Sequence, residues 1–276
     1  MITVELVKLL RRPRTWISVV LTCALPFMVA VFITITHLVP PPGQGSAFLS
    51  AVLQDGALYP AAALALVLPV FLPITVAVVA GDAIAGEAST GMLRYLVVRP
   101  VGRLRLLTAK LVSVAAYVLI AVALVTLTSY VVGVAAFGFG AGAAAGGAGG
   151  ITSLSGPVIT PVGLATRTAI VVGYLALCML ALGAIGLFFS TVTDSPLGAA
   201  LGVLAVVVVS ASLLPLDAAA AIRFYLPTTH WLAWIDLYRV PILWTAVRQG
   251  AEVQLSYVLV AFGAAWANFA TKDVTS

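Results

Sequence analysis

Six apolar runs, each about long enough to cross a lipid bilayer, take up most of this sequence. A helix needs about 20 apolar residues to cross a hydrocarbon core of about 30 Å. Because the core offers no water to backbone polar groups, a spanning segment has to satisfy them within itself, which favours helices. The sequence therefore predicts an all-α membrane protein, with one transmembrane domain over residues 1–276 and spans at about 16–36, 57–80, 111–137, 167–190, 197–214 and 254–270.

The composition excludes a water-soluble globule. Hydrophobic residues make up 62% of the 276 residues and charged residues only 8%, and the mean hydropathy is +1.17. The charged residues, whose net charge is +5, are distributed according to the orientation of the chain in the membrane and are not gathered in one patch. Nucleic-acid binding is therefore not expected. Cys23 and Cys178 both fall inside apolar spans, where they serve as small packing residues.

The distribution of Lys and Arg predicts the orientation, because cytoplasmic loops carry an excess of both. With the N-terminus inside, six spans also place the C-terminus inside, and ten basic residues face the cytoplasm against four outside. The ten are Lys8, Arg11, Arg12, Arg14, Arg94, Arg99, Arg103, Arg105, Lys110 and Lys272; the four are Arg167, Arg223, Arg239 and Arg248.

An amphipathic helix is predicted over residues 1–15, lying at the membrane interface. Apolar residues occupy one side of it and charged residues the other. The apolar side carries Ile2, Leu6, Leu9 and Leu10, and the charged side Glu5, Lys8 and Arg12.

The longest polar interruption of the apolar pattern runs over residues 81–110, between spans 2 and 3. Glycine and proline divide it, so we expect two short helical turns folded into an elbow rather than one helix. Asp82 is predicted to cap the first turn, and Ser89 or Thr90 the second. The dividing residues are Gly86, Gly91, Pro100 and Gly102.

Three residues of this elbow favour docking against another protein. Glu87 and Arg94 are seven residues apart and would share a helical face, while Gly91 between them leaves room for another backbone. An ordinary solvated loop is the alternative interpretation.

The same residues resemble a known family. The run G-D-x-x-A-G-E, then S-T-G-M-L-R-Y-L, then R-P-V-x-R, resembles the cytoplasmic loop of ABC-2 type permeases, and the basic N-terminal helix, six spans and closing Lys-Asp-Val extend the likeness over the chain. The resemblance implies that this loop is a coupling helix seated in a groove of a separate ATPase subunit. The docking residues so implied are Asp82, Glu87, Gly91, Arg94 and Arg99.

The resemblance also implies an assembly. Two ATPase subunits, which hold ATP and Mg, would work with this permease and a second permease that is identical or homologous, in a bacterial plasma membrane. The chain itself carries no nucleotide-binding motif, so no cofactor is expected in it and it is not expected to be an enzyme. No metal site is expected either.

Two further segments carry candidate contacts. Asp194, in a short cytoplasmic turn, is a candidate for a second ATPase contact, with a simple capped turn as the alternative. Residues 215–252 concentrate aromatic side chains, and Trp231, Trp234 and Tyr238 would share one helical face. They are predicted to be a half-embedded interfacial helix or an outer gate that touches substrate.

The acidic residues argue against an ion-coupled transporter, because all nine are placed outside the predicted spans. The sequence therefore predicts the permease subunit of an ABC exporter for a lipophilic substrate such as a drug, a lipid or a hydrophobic peptide. The alternative is a membrane anchor or sensor scaffold that binds a cytoplasmic partner and transports nothing.

Overall fold

The structure is a computed structural model, and it describes residues 2–36, 56–90, 102–138, 151–153 and 155–271. These ranges are almost entirely helical. The helices are α1 (Ile2–Arg11), α2 (Pro13–Thr36), α3 (Tyr59–Val67), α4 (Phe71–Ser89), α5 (Arg103–Phe137), α6 (Pro161–Val192), α7 (Pro196–Leu213), α8 (Ala220–Arg223) and α9 (Trp244–Thr271). Short 3-10 helices cover Gly56–Leu58, Asp217–Ala219 and Ala233–Tyr238.

Six helices of the described ranges are long and apolar enough to cross a membrane: α2, α4, α5, α6, α7 and α9. The predicted all-α class and the six spans are thereby confirmed, and the chain is a multi-pass membrane protein. Several helices run beyond the predicted spans, because polar residues at the bilayer surface continue a helix that apolar residues begin. The largest extensions are at the start of α9, which begins at Trp244, and at the end of α4, which runs to Ser89.

The second span is broken, as its prolines predict. Helix α3 ends at Val67, a turn covers residues 68–70, and α4 begins at Phe71. Pro69 and Pro73 lack the N–H groups that would continue the helical ladder through this point. The first span, in contrast, stays one continuous helix through Pro26.

Helix α4 also corrects the predicted elbow. It continues through Gly86 to Ser89, so the first predicted turn does not exist as a separate element. Asp82 lies inside α4 and caps nothing. Ser89 and Thr90 lie at the end of the helix, where both hydroxyls donate to the Gly86 carbonyl oxygen, and the second turn that one of them is predicted to cap lies outside the described residues. The rest of the elbow, up to residue 101, falls outside the described residues.

The helices meet at two chemically different ends of the bundle. At the charged end lie α1, the last turns of α4, α6 and α9 and the first turns of α5 and α7. Arg103 there donates to the carbonyl oxygens of Phe269 and Ala270, at 3.0 and 2.7 Å. At the aromatic end, the turns between α7 and α9 pack on the start of α6, where Arg167 donates to the carbonyl oxygen of Leu237 at 2.9 Å.

Close backbone approaches hold α4 inside the bundle. A side chain at Gly81 would lie 2.9 Å from the Ala200 amide nitrogen of α7, and one at Gly186 of α6 would lie 2.7 Å from the Ala80 side chain. Large residues fill the remaining space, and Leu72, Val76 and Leu182 are among those with almost no exposure. Helix α4 is therefore packed on three sides before it reaches the charged end.

A small β-hairpin lies at the aromatic end and was not predicted. Strands β1 (Ile151–Thr152) and β2 (Val158–Ile159) pair in antiparallel register. The hydroxyl of Ser155 accepts a hydrogen bond of 2.7 Å from the Val240 amide, which ties the hairpin to the loop before α9. The glycine-rich residues 139–150 before the hairpin lie outside the described ranges.

Candidate functional site

A chain of alternating charges joins α1, α4 and α5 at the charged end. Glu87 Oε1 accepts from Lys110 Nζ at 2.5 Å and also pairs with Lys8 Nζ. Lys110 in turn lies 2.8 Å from Glu5 Oε2. Glu87 and Lys110 are each only 2% exposed. The order Glu5, Lys110, Glu87, Lys8 therefore forms a buried network, which we call the charge network.

Helix α1 contributes to the charge network because its charged face points inward. Glu5, Lys8 and Arg12 recur at helical spacing on the side that packs against α4 and α5. Val4 and Val7 on the other side are exposed, at 66% and 43%. The predicted amphipathic helix is confirmed, with its charges toward the protein and much of its apolar surface outward, as suits a helix at a membrane surface.

A second cluster of ion pairs extends the charge network along α4. Asp82, one turn before Glu87, accepts from Arg12 Nη1 at 2.5 Å and lies 3.8 Å from Arg14 Nη1. Asp82 is partly buried, with 19% of its side chain exposed. Between these groups lies a cavity of about 60 Å³. A cavity of this size holds only a few water molecules, so it is too small for an organic substrate.

The burial of Glu87 disagrees with the exposed position that its predicted docking role requires. The sequence predicts that Glu87 offers a charged contact to a partner, yet its carboxylate is enclosed by two lysines of its own chain. Removing a charge of a buried pair leaves the other charge uncompensated, which costs about 3–5 kcal/mol. In this conformation Glu87 binds α1 and α5 together instead of facing a partner.

One side chain of α6 fixes the part of α4 that carries these acids. The Ser190 hydroxyl accepts from the N–H groups of Ile84 and Ala85, at 3.0 and 2.8 Å, and donates to the Gly81 carbonyl oxygen at 2.7 Å. Ser190 is fully buried. Two of these bonds reach α4 between Asp82 and Glu87 and the third reaches Gly81, next to Asp82, so α6 sets the position of the charge network.

The other predicted docking residues lie around this site or outside the described part of the chain. Gly91, Arg94 and Arg99 fall among residues 91–101, which the structure does not describe. Asp194 is exposed in the turn between α6 and α7, at the charged end. The next residue, Ser195, caps α7 by accepting from the Gly198 N–H at 3.2 Å, so the turn is capped, and the second ATPase contact at Asp194 stays a prediction.

The aromatic end differs from its prediction. Trp231, Trp234 and Tyr238 are at most 5% exposed, and the segment that carries them consists of turns and the 3-10 helix Ala233–Tyr238. The predicted half-embedded interfacial helix is wrong, because all three side chains are buried and Trp231 lies in a turn before the 3-10 helix; the outer gate that touches substrate stays a prediction. The Tyr238 hydroxyl lies 3.0 Å from that of Thr168 in α6, and burial raises the pKa of Tyr238 to about 12.

Sequence reasoning missed the partners that complete the charge network: Glu5, Lys8, Arg12, Lys110 and Ser190. Lys8, Arg12, Lys110 and Ser190 are 23 to 109 positions away from the α4 residues that they contact, and Glu5 is 105 positions away from Lys110. The sequence held one signal for the charge network: Asp82, Glu87 and Lys110 lie next to apolar runs, in helices that contain membrane spans. Among the residues that the structure describes, no three His, Cys, Asp or Glu side chains group so as to hold a metal ion.

Comparison with known families adds one finding. Residues 18–220 match the profile of DUF2705, a family described as proteins of unknown function. The chain belongs to this family. The matched region includes Asp82, Glu87, Lys110 and Ser190 and leaves out α1 and the buried aromatic residues after residue 220. No curated protein matches the chain.

Proposed function

We propose that this chain is the membrane subunit of an ATP-driven exporter of the ABC-2 type, with ATP hydrolysis in a separate subunit. The charge network is the observation that carries the proposal. It ties the last turn of α4 and the first turns of α5 to each other and to α1. Residues 91–101 join these two helices, so a force on that connection moves three helices as one body.

The mechanism needs a stiff link between the connection and the spans. Buried ion pairs with short contacts supply one, because separating them would leave charges without water or partner. Closure of two ATPase subunits would displace the connection, and α4 would carry the displacement into the bundle, where its break at residues 68–70 lets the two halves of the span move differently. The bundle would then shift between two packed states, one that opens the path to the inside and one that opens it to the outside.

The proposal includes an orientation with both termini in the cytoplasm of a bacterium. The described basic residues of the charged end are Lys8, Arg11, Arg12, Arg14, Arg103, Arg105 and Lys110, against four at the aromatic end. The positive-inside rule places the charged end in the cytoplasm.

The acidic residues support a partner ATPase as the energy source. Asp82 and Glu87 do lie within a spanning helix, contrary to the sequence prediction, but both are paired with basic side chains of the charged end. Each acidic side chain of the described spans has a basic partner, since Glu252 pairs with Arg248, so an unpaired acid of the kind that an ion-coupled transporter uses is not observed there. The proposed cargo is lipophilic, and a second permease, identical or homologous, completes the path.

Co-purification with a co-expressed ATPase subunit tests the proposal. The wild-type chain alone should hydrolyse no ATP above background, and with its ATPase in proteoliposomes hydrolysis should appear and rise with cargo. Gly91→Leu should abolish co-purification by blocking close approach of the ATPase. Gly102→Leu is the matched control, since a side chain there meets no atom within 4 Å.

Two outcomes would contradict the proposal in different ways. Normal co-purification and hydrolysis in Gly91→Leu would show that the connection is a solvated loop. An ATPase that binds but never responds to any lipophilic cargo would favour the anchor or sensor scaffold over the exporter.

The orientation is tested separately with single cysteines in a chain whose Cys23 and Cys178 are replaced by alanine. Asp217→Cys, at the aromatic end, should react with an impermeant thiol reagent in intact cells, because Asp217 is fully exposed. Ser89→Cys, at the charged end, should react only after the membrane is opened. The reverse pattern would overturn the orientation.

A further inference from the structure

A crevice of about 500 Å³ opens between α5 and α6, in the half of the bundle nearer the aromatic end. Its floor is the start of the broken second span, where Ala57 and Pro60 are buried. Its walls are residues 123–130 of α5 and 161–172 of α6. The crevice is open at the side of the bundle, where Tyr130 of its wall is 41% exposed.

The lining of the crevice offers almost nothing to a polar ligand. None of the described residues that line it is charged. The Thr126 hydroxyl already donates to the Val122 carbonyl oxygen of its own helix at 2.8 Å, and the Thr168 hydroxyl is paired with Tyr238. An apolar cavity without unsatisfied polar groups stays dry and takes apolar ligands.

The crevice is elongated along the helix axes. The wall of α6 extends over eleven residue steps, which is about 16 Å at 1.5 Å per residue. Its volume falls within the range of about 300–1,000 Å³ that ligand sites usually have. Small side chains create the space, because Ala123 on one wall faces Ala165 and Ala169 on the other.

We propose that one hydrocarbon chain of a phospholipid from the adjoining membrane leaflet occupies this crevice. The chain lies parallel to α5 and α6, with its ester end near Tyr130 and Pro161 and its methyl end near Ala123 and Val172. This direction follows from the helices, since Tyr130 and Pro161 are nearer the aromatic end of the bundle. The Tyr130 ring suits the headgroup level, because one end of a tyrosine is apolar and the other polar.

A lipid chain fits better than the other occupants. The crevice opens at the side of a membrane-spanning bundle, where lipid hydrocarbon is the solvent. If it stayed empty, the apolar atoms of its walls would lose dispersion contacts. A second copy of this chain would need bulky side chains to fill a groove about 16 Å long whose walls carry several alanines. The inference rests on the membrane-spanning bundle alone and stands whether or not the chain is an exporter.

Photo-crosslinking in vesicles tests the site and the direction together. The purified full chain is reconstituted into phosphatidylethanolamine and phosphatidylglycerol vesicles with a small fraction of a phosphatidylcholine that carries a diazirine. In one probe the diazirine sits at the methyl end of the acyl chain, in the other beside the ester. The methyl-end probe should label residues near Ala123 and Val172, and the ester-end probe residues near Tyr130 and Pro161.

Filling the crevice should remove the labelling. Ala169→Trp places a large ring between the walls, and we expect at least about a tenfold loss of adducts in the crevice. Ala205→Trp is the matched control, because Ala205 is an exposed alanine of α7 outside the crevice. Gel filtration and circular dichroism check that both variants fold, and Ala165→Trp replaces Ala169→Trp if the latter does not.

Three results would overturn the inference. Adducts spread evenly over all exposed helix faces of the wild type would show ordinary lipid contact without a site. Equal labelling in Ala169→Trp and Ala205→Trp would show that the crevice is not where the probe binds. Disulfide formation between copies through Leu127→Cys, in a chain otherwise free of cysteine and reconstituted at low density, would show that a second copy covers the crevice.

Discussion

Replacing Lys110 with methionine tests the charge network directly. Methionine keeps an unbranched apolar side chain of similar length and removes only the charge. In the wild type the Lys110 ammonium lies 2.5 Å from Glu87 and 2.8 Å from Glu5. Among the described residues Glu5 pairs with Lys110 alone, so the variant leaves one carboxylate without a cation and the buried Glu87 with Lys8 only.

The size of the effect follows from the burial of each group. Breaking a buried pair by removing one partner costs about 3–5 kcal/mol, and we expect Lys110→Met to fall in this range because it affects two carboxylates. Glu87→Gln should cost less, about 1–3 kcal/mol. In that variant Lys110 keeps Glu5, and Lys8, whose side chain is 30% exposed, can reach water.

The free energy of unfolding is measured by titrating sodium dodecyl sulfate into the protein in mild detergent, with circular dichroism as the signal. The double variant Glu87→Gln, Lys110→Met should lose less than the sum of the two single losses, by about 0.5–3 kcal/mol, since the two groups contact each other. Arg105→Met is the control on the same helix. Arg105 is exposed, so its removal should change stability by less than about 0.5 kcal/mol.

Two results would refute this reasoning. A Lys110→Met variant within about 0.5 kcal/mol of the wild type would mean that water reaches the carboxylates and that the burial is not real. Strictly additive single losses would mean that Glu87 and Lys110 do not interact, and the stiff link invoked for coupling would be gone.

Three further predictions concern other parts of the bundle. The pKa of Tyr238 is raised to about 12 in the folded chain, above about 10 unfolded, so its contribution to stability should fall as pH rises from 10 to 12; phenolate absorbance alongside unfolding checks this, and the fall should be smaller in Tyr238→Phe than in the wild type. Ser190→Ala should cost about 1–3 kcal/mol in the detergent titration, because it removes the partner of buried backbone groups. Gly250→Ala would place a methyl group 2.1 Å from the Tyr174 hydroxyl oxygen and should lower the melting temperature, whereas Gly263→Ala in the same helix meets nothing within 4 Å and should not.

The sequence predicts the bundle well because the relevant signals are local. Each apolar run reports its own helix, and Pro69 with Pro73 reports the break between α3 and α4. Glycine and proline in the sequence give a wrong prediction where tertiary contacts override their local effect. Gly86 lies inside α4, since Ser190 and the ion pairs of Glu87 hold this part of the chain helical.

The charge network could not be predicted because its pairs are distant in sequence. Charge spacing on α1 gives the correct two faces but not which of them meets the protein, and the inward direction is decided by Glu87 and Lys110, far along the chain. The hairpin near Ile151 was hidden by the glycine-rich composition before it. At the aromatic end the spacing of Trp231 and Trp234 predicted one helical face, but Trp231 lies in a turn and Trp234 in a 3-10 helix, so the spacing did not determine the backbone there.

The burial of Glu87 has a consequence for biosynthesis. Lys110 follows Glu87 by 23 residues, and a ribosome adds about 5–20 residues per second, so about 1–5 seconds pass before the second lysine exists. During that interval α4 has to enter the membrane with an acid near its end, and charged residues in a spanning helix oppose insertion. Lys8, made 79 residues earlier, is then the available partner. Helix α1 would thus act as an assembly factor encoded in the same chain, neutralising the carboxylate until the helix that finally shares it has been synthesised.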